Sequence, residues 1–493
     1  MLQPHSLCVI GGGLAGMTSA LILARNGHAV TLVEASPRLG LTVRGFTRQG
    51  AYFDTGLHYT GGLDRNGIVS RYLRYLGIHG LETVPFKEDC FDEIRFADTG
   101  KTVRLPIGYE RMRKALCDQF PGEEACVTRY MERARAAFGG SSLLHLFLSS
   151  QNAPAADTSE SLSSFLAQQT GNEHLRAALS IHSLLYGVSP DETPFAQHAY
   201  VSASYFDSVH NFSGGGQALI KAMERRLKEE GVTVILGKSV AALRCDDGKR
   251  LSHLELDDGS RIATDAAICT ASPPALAAMG REVFRPVYTE HLLGLEETCS
   301  AYMLFGIAAK RPDCLDGKNL FLCGDADLNR AFVPGANPEE GPFFIASSPR
   351  PDGGSNNVGV IVLAPGFFSD VEAWADSTHG NRPAAYTEHK ASVMRRIQSS
   401  VAAMCPELAS VRFVEGATPL TMRDYLHIPR GGLYGSKHSI SQVNPMPVTR
   451  IPNLLLAGQA IVAPGLMGAM ISAFLACGLL MGTTTLHEEA ACS

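Results

Sequence analysis

The chain has 493 residues, 45% hydrophobic and 19% charged, a length that exceeds one core and a composition that excludes disorder, so two or more domains are expected. Acids outnumber bases 49 to 43 and no Lys/Arg run exceeds a pair, which excludes nucleic acid as a partner. Twelve cysteines form no C-x-x-C pair, so neither a zinc site nor a redox dithiol is indicated, and cysteines inside apolar runs suit a reducing compartment.

Strand-like residues begin at Leu7, leaving no room for a leader, and a cytoplasmic location is expected. Leu7–Ile10 is a short apolar strand leading into Gly11-Gly12-Gly13-Leu14-Ala15-Gly16 and a helix. Gly11 permits a tight turn, Gly13 lets the backbone approach a pyrophosphate, and Gly16 lets helix and strand pack closely. The N–H groups that open the helix, at Leu14 and Ala15, face the phosphates with the positive end of its dipole. Ala20, Ala24 and Gly27 keep the sheet-facing side small, and Ala29–Val33 reads as a second buried strand. Glu34 follows it, 18 residues past Gly16, where a carboxylate accepts hydrogen bonds from ribose hydroxyls and repels a 2′-phosphate. This unit binds a dinucleotide but leaves NAD and FAD open.

Phe91–Phe96 and Thr102–Leu105 read as strand, turn and strand. Residues 110–200 read as mainly helical, with Asn152–Glu160 a polar loop. The apolar patch Ser141–Leu148 admits two readings, a peripheral contact with a membrane surface or a core helix beneath that loop. Gly231–Val240 and Ala266–Thr270 read as further strands of the nucleotide sheet. Ala301–Ile307, Phe343–Ala346 and Val358–Leu363 are assigned, with the earlier hairpin, to one mixed sheet. Leu454–Met481 carries no charge and is long enough for a bilayer, but Gly458, Pro464, Gly465 and Gly468 divide it into strand, turn and helix.

That last segment favours FAD. A second glycine turn, Gly458-Gln459 and then Pro464-Gly465-Leu466-Met467-Gly468-Ala469, opens a helix whose N-terminus suits a ribityl chain and the charge a flavin gains on reduction. The fold class expected is α/β, a discontinuous Rossmann-like FAD-binding domain (residues 1–75, 211–280 and 411–493) with an inserted α+β substrate domain (76–210 and 281–410).

Seven blocks in this order carry a resemblance: Phe53-Asp54-Thr55-Gly56-Leu57-His58-Tyr59, Leu105–Gly108, Phe120–Glu123, Tyr186–Pro190, Gly215-Gly216, Tyr434-Gly435 and Gly458-Gln459. With them the chain resembles the carotenoid desaturase, carotenoid isomerase and retinol saturase group, retinol saturases most of all. The resemblance implies one non-covalent FAD and action on carbon–carbon double bonds of long isoprenoids, with a hydrophobic small molecule as partner. It implies that the backbone of Val240 meets the adenine and that His58 and Tyr59 lie near the flavin as catalytic candidates. Where the family carries paired glycines beyond the ribose acid, this chain has Gly40-Leu41, and a leucine there would resist positive φ and crowd the flavin.

Asp54 is expected to bond its own turn. His198, Tyr205, Tyr434 and His438 rank second, and Lys437 reads as a surface residue. Four functions stay open: saturation or desaturation of an isoprenoid, redox-neutral polyene isomerisation by reduced FAD, oxidation of amines or amino acids, and binding by an idle flavoprotein. Neither oligomeric state nor electron partner is legible, and NAD(P)H is expected not to bind stably.

Overall fold

The computed structural model describes residues 5–140, 159–247, 249–349, 357–482, 486, 489 and 490. The Ser141–Leu148 patch, and all of Asn152–Glu160 except its last two residues, lie outside them.

Five strands form a fully parallel sheet in the order Leu454–Leu456, Ala266–Cys269, Ser6–Ile10, Ala29–Glu34, Thr233–Leu236. Its central strands are apolar runs because both faces are covered, the usual condition of a parallel sheet. Helix Leu14–Arg25 follows the first strand and is buried from Leu14 to Leu23. It packs on helix Gly465–Met481, buried over most of its circumference. That burial explains a helix apolar all round without a membrane. Tyr72 stacks on its Phe474 at 4.0 Å, and no helix among the described residues is long and apolar enough to cross a membrane.

A seven-stranded mixed sheet runs Arg412–Ala417, Ser300–Ala308, Val358–Gly366, Phe343–Ser347, Asn319–Cys323, Asp92–Phe96, Thr102–Leu105. Its two longest strands are buried at all nine positions. Along Ser300–Ala308, Ala301, Met303, Phe305 and Ile307 face the helices of residues 109–207, while Tyr302, Leu304 and Ala308 face helix Ala384–Met404, the period of two that a strand imposes. Two of these strands escape the sequence pattern. Asn319–Cys323 is a short apolar run, and Arg412–Ala417 is a polar edge strand. The latter pairs antiparallel with Ser300–Ala308, so the return to the nucleotide unit comes later than the expected residue 411.

Strand Ala51–Phe53, paired with Phe46–Arg48 in a separate hairpin, crosses the seven-stranded sheet at Gly359, whose missing Cβ would lie 2.2 Å from the Tyr52 carbonyl oxygen. From that crossing the segment Asp54–Thr60 runs on toward the nucleotide unit.

Candidate functional site

The first glycine turn lies at the carboxyl ends of the parallel strands, beside the position where strand order reverses, the usual ligand crevice of such sheets. Gly11 has φ +102° and its N–H donates to Val33 O at 2.8 Å. A Cβ at Gly16 would stand 1.8 Å from Gly11 O, so glycine is required for helix and turn to touch. At Gly13 a Cβ would meet no atom within 4 Å. That open space lies before the N–H groups of Leu14, Ala15 and Gly16, which are buried and find no acceptor among the described residues. Buried donors without acceptors in front of an open cradle fit a pyrophosphate.

Glu34 closes the other side. Its carboxylate accepts from Gly12 N at 2.5 Å and Ser36 N at 2.7 Å. Gly237 N donates to Ser36 O and Lys238 N to Glu34 O, which brings the strand beginning at Val240 alongside the acid. Gly40 N donates to Gly12 O at 2.9 Å, placing Gly40-Leu41 over the turn. Here an expectation is corrected. The left-handed residue is Gly40, at φ 65°, and Leu41 opens the short helix Leu41–Arg44, so the leucine carries no backbone strain.

The second glycine turn repeats this design. Gly458 has φ +111° and its N–H donates to Ser472 Oγ at 2.8 Å. Gly465 has φ +90°, a Cβ there would meet no atom within 4 Å, and Gly468 approaches Ala463 O. The N–H groups of Leu466, Met467 and Gly468, ahead of Ala469, again find no acceptor among the described residues. Gln459 borders Gly435, where a Cβ would lie 2.7 Å from its Nε2, and His438 Nε2 donates to Gln459 O at 2.8 Å.

Between the turns runs Asp54–Thr60. Asp54 is 1% exposed and accepts from Tyr52 Oη at 2.7 Å and Gly216 N at 2.9 Å. It thereby caps helix Gly216–Glu229 from another segment, and burial raises its pKa to about 6. A Cβ at Gly56 would lie 2.3 Å from Thr42 O, so the segment passes directly against helix Leu41–Arg44. The His58 carbonyl accepts from Asn211 Nδ2 at 2.7 Å. Its ring, partly accessible, faces Phe344 at 5.3 Å and makes no hydrogen bond among the described residues. Desolvation lowers its pKa to about 4, so it is neutral at pH 7.

Tyr59 is placed differently from its neighbour. Its ring stacks on Tyr205 at 4.8 Å and on Phe344 at 6.0 Å, and its hydroxyl donates to the buried Asp92 at 2.9 Å. His198, fully buried, is held by Tyr130, Tyr186 and Ser202. Lys437 is not a free surface residue, because Glu192 at 2.6 Å and Glu296 at 3.2 Å hold its ammonium. Asp92, His182 and Asn319 escape the sequence reading. Their one signal is an aspartate opening an apolar strand, a position that residue type rarely takes.

A family described as flavin containing amine oxidoreductase matches residues 14–301. The chain is 26% identical to the all-trans-retinol 13,14-reductase of Rattus norvegicus, over 95% of this chain and 84% of the relative. It is 24% identical to the phytoene desaturase of Cercospora nicotianae, over 75% of this chain and 62% of that protein. In fold it is similar to an oxidoreductase from Methanosarcina mazei, at TM-score 0.67 and 14% identity over 95% of this chain and 98% of that one.

Proposed function

The chain belongs to the flavin containing amine oxidoreductase family, and we propose that within it this protein saturates or desaturates a carbon–carbon double bond of an isoprenoid lipid. It is an FAD-dependent oxidoreductase. The substrate class is the proposal, and the wall of rings around His58, formed by Phe344, Tyr59 and Tyr205, carries it. Such a wall suits an apolar polyene, and the chain-wide likeness to a protein named for retinol supports the same class.

In this reading Gly11, Gly13, Leu14, Ala15 and Gly16 hold the pyrophosphate, and Glu34 and Val240 hold the adenosine. Gly40, Leu41, Gly458, Gln459, Gly465, Leu466, Gly468 and Ala469 hold the flavin half. Bound FAD supplies a centre that gives or takes a hydride. The residues around it orient the polyene and exclude water, which a preformed apolar wall does without rearrangement. His58, neutral and without a hydrogen-bond partner among the described residues, offers a hydrogen bond without adding charge to that pocket. Lys437 does not take the part of an amine oxidase lysine, since two glutamates already hold it. Isoprenoids partition into bilayers, so peripheral contact with a membrane surface belongs to this reading.

The test is anaerobic mixing of oxidised and reduced holoprotein with a panel of polyenes and a panel of amines, following the visible flavin absorbance. Bleaching or recovery with polyenes supports the proposal. Response to amines alone overturns it.

A further inference from the structure

Beneath Tyr59 a chain of polar side chains crosses the apolar core. Tyr59 Oη donates to Asp92 Oδ2 at 2.9 Å, His182 Nε2 meets the same oxygen at 3.0 Å, and Asn319 Nδ2 donates to Asp92 Oδ1 at 3.0 Å. Behind His182, its Nδ1 lies 3.1 Å from Ser202 Oγ, which lies 3.1 Å from His198 Nε2. Asp92 is 0% exposed and Ser202 1%. A buried carboxylate is costly unless its lone pairs are met, and here three donors meet them.

The same heavy atoms accommodate Asp92 in two protonation states. As a carboxylate it accepts from Tyr59, His182 and Asn319. As an acid it donates back to Tyr59 Oη while still accepting from His182 and Asn319. Ser202 holds His182 in the tautomer this requires, its hydroxyl donating to Nδ1 so that Nε2–H points at Asp92. His198 behind it is neutral, since burial lowers its pKa to about 3. The two states differ by one proton and by no movement of atoms other than hydrogen.

Tyr59 also connects this chain to the flavin end. Its ring stacks on Tyr205, both hydroxyls feel Tyr434, and the next residue, Gly435, abuts Gln459 of the second glycine turn.

Resting on the polyene reading above, we propose that Tyr59 and Asp92 form a buried acid–base relay for the C–H bond next to the carbon that exchanges hydride, with His182 and Asn319 as positioning residues. In the desaturating direction that C–H bond breaks and its electron pair becomes the new π bond. The proton passes to Tyr59 Oη as the tyrosine's own proton moves to Asp92, and the hydride goes to the oxidised flavin. Saturation runs every transfer in reverse, with the reduced flavin as hydride donor.

The test compares Asp92→Asn, which keeps the shape of the side chain and one acceptor oxygen but accepts no proton, with Tyr59→Phe, which removes one oxygen. Each should retain FAD and polyene affinity read by fluorescence quenching, with a melting midpoint lowered by no more than the loss of one buried hydrogen bond. Each should slow single-turnover flavin bleaching by about a hundredfold, and the double variant should be no slower than either, because one path is broken once. Wild-type rates in both variants, losses that multiply in the double variant, or loss of polyene affinity instead of rate would each overturn the relay alone. Wild-type protein inert to every polyene would overturn the functional reading and the relay together. Should Asp92→Asn not fold, Tyr59→Phe carries the same comparison.

Discussion

The two ends of the proposed cofactor site are built on different plans. The proposed adenosine end is built mainly by Gly11–Glu34, joined by Val240, and rests on backbone: glycines without Cβ atoms, helix N–H groups without acceptors among the described residues, and one carboxylate. The proposed reacting end is assembled from side chains at 58, 59, 92, 182, 205, 344 and 434, brought together by the seven-stranded sheet, the helical layer on it and two loop segments. A site made of backbone tolerates no added atom. A site made of side chains is expected to fail by degrees, losing rate before it loses ligand.

Gly13→Val makes the sharpest break. Gly13 has φ −72° and an added Cβ meets no protein atom, so the apoprotein should fold with its melting midpoint unchanged. FAD should then bind about a thousandfold or more weaker, a loss of roughly 4 kcal/mol, read as flavin content after purification. Gly16→Val is the control, since its Cβ would strike Gly11 O and should lower the melting midpoint as well. FAD retained by Gly13→Val would disconnect the open cradle from the cofactor.

His58→Ala probes the other end. FAD content should match wild type, while single-turnover flavin bleaching by a polyene should slow by about ten- to a hundredfold. Loss of FAD instead would make His58 a structural residue and erase the contrast between the ends.

Asp54 stands between the two, a side chain that serves backbone geometry. Asp54→Ala leaves the N–H of Gly216 and the hydroxyl of Tyr52 without their acceptor and should cost about 1–2 kcal/mol in denaturant unfolding. Its folded pKa of about 6 lies above the ordinary aspartate value of 3.8. The stabilisation tied to its protonated form is therefore complete below pH 3.8 and lost as pH rises through about 6. His58 and His198 act oppositely, their depressed values costing stability as pH falls from 6.5 through about 4 and about 3. Asp54→Asn, which keeps an acceptor oxygen, should flatten only the first dependence in unfolding measured across pH 4–7.

The same division governs what the sequence discloses. Gly11 to Glu34 is legible because each requirement is local: a turn, a close approach, a strand end. The charge-free stretch from Leu454 is legible because its glycines and proline punctuate it. Asp92 is different, because its meaning depends on Asn319, its register partner in a parallel pair of strands, and on Tyr59 and His182 from two further segments. No spacing in the chain encodes that meeting. Leu41 shows a subtler limit, since the motif locates the unusual residue but not which of the pair takes positive φ. The strand Arg412–Ala417 is hidden by its polar edge position.

Lys437 gives the smallest effect and the finest discrimination. It lies three residues past Tyr434, yet its ammonium is held by Glu192 and Glu296, the latter exposed. An ion pair partly open to solvent contributes little, so Lys437→Met should cost less than about 1 kcal/mol of stability. It should also leave polyene-driven bleaching within about threefold of wild type, well short of the loss expected when a group that assists proton transfer is removed. A lysine that assisted an amine oxidation would behave otherwise, and its loss would lower the flavin response about tenfold or more with no matching loss of stability. The two glutamates argue for the first outcome, because a lysine already committed to two carboxylates has no free geometry with which to hold a water or an amine.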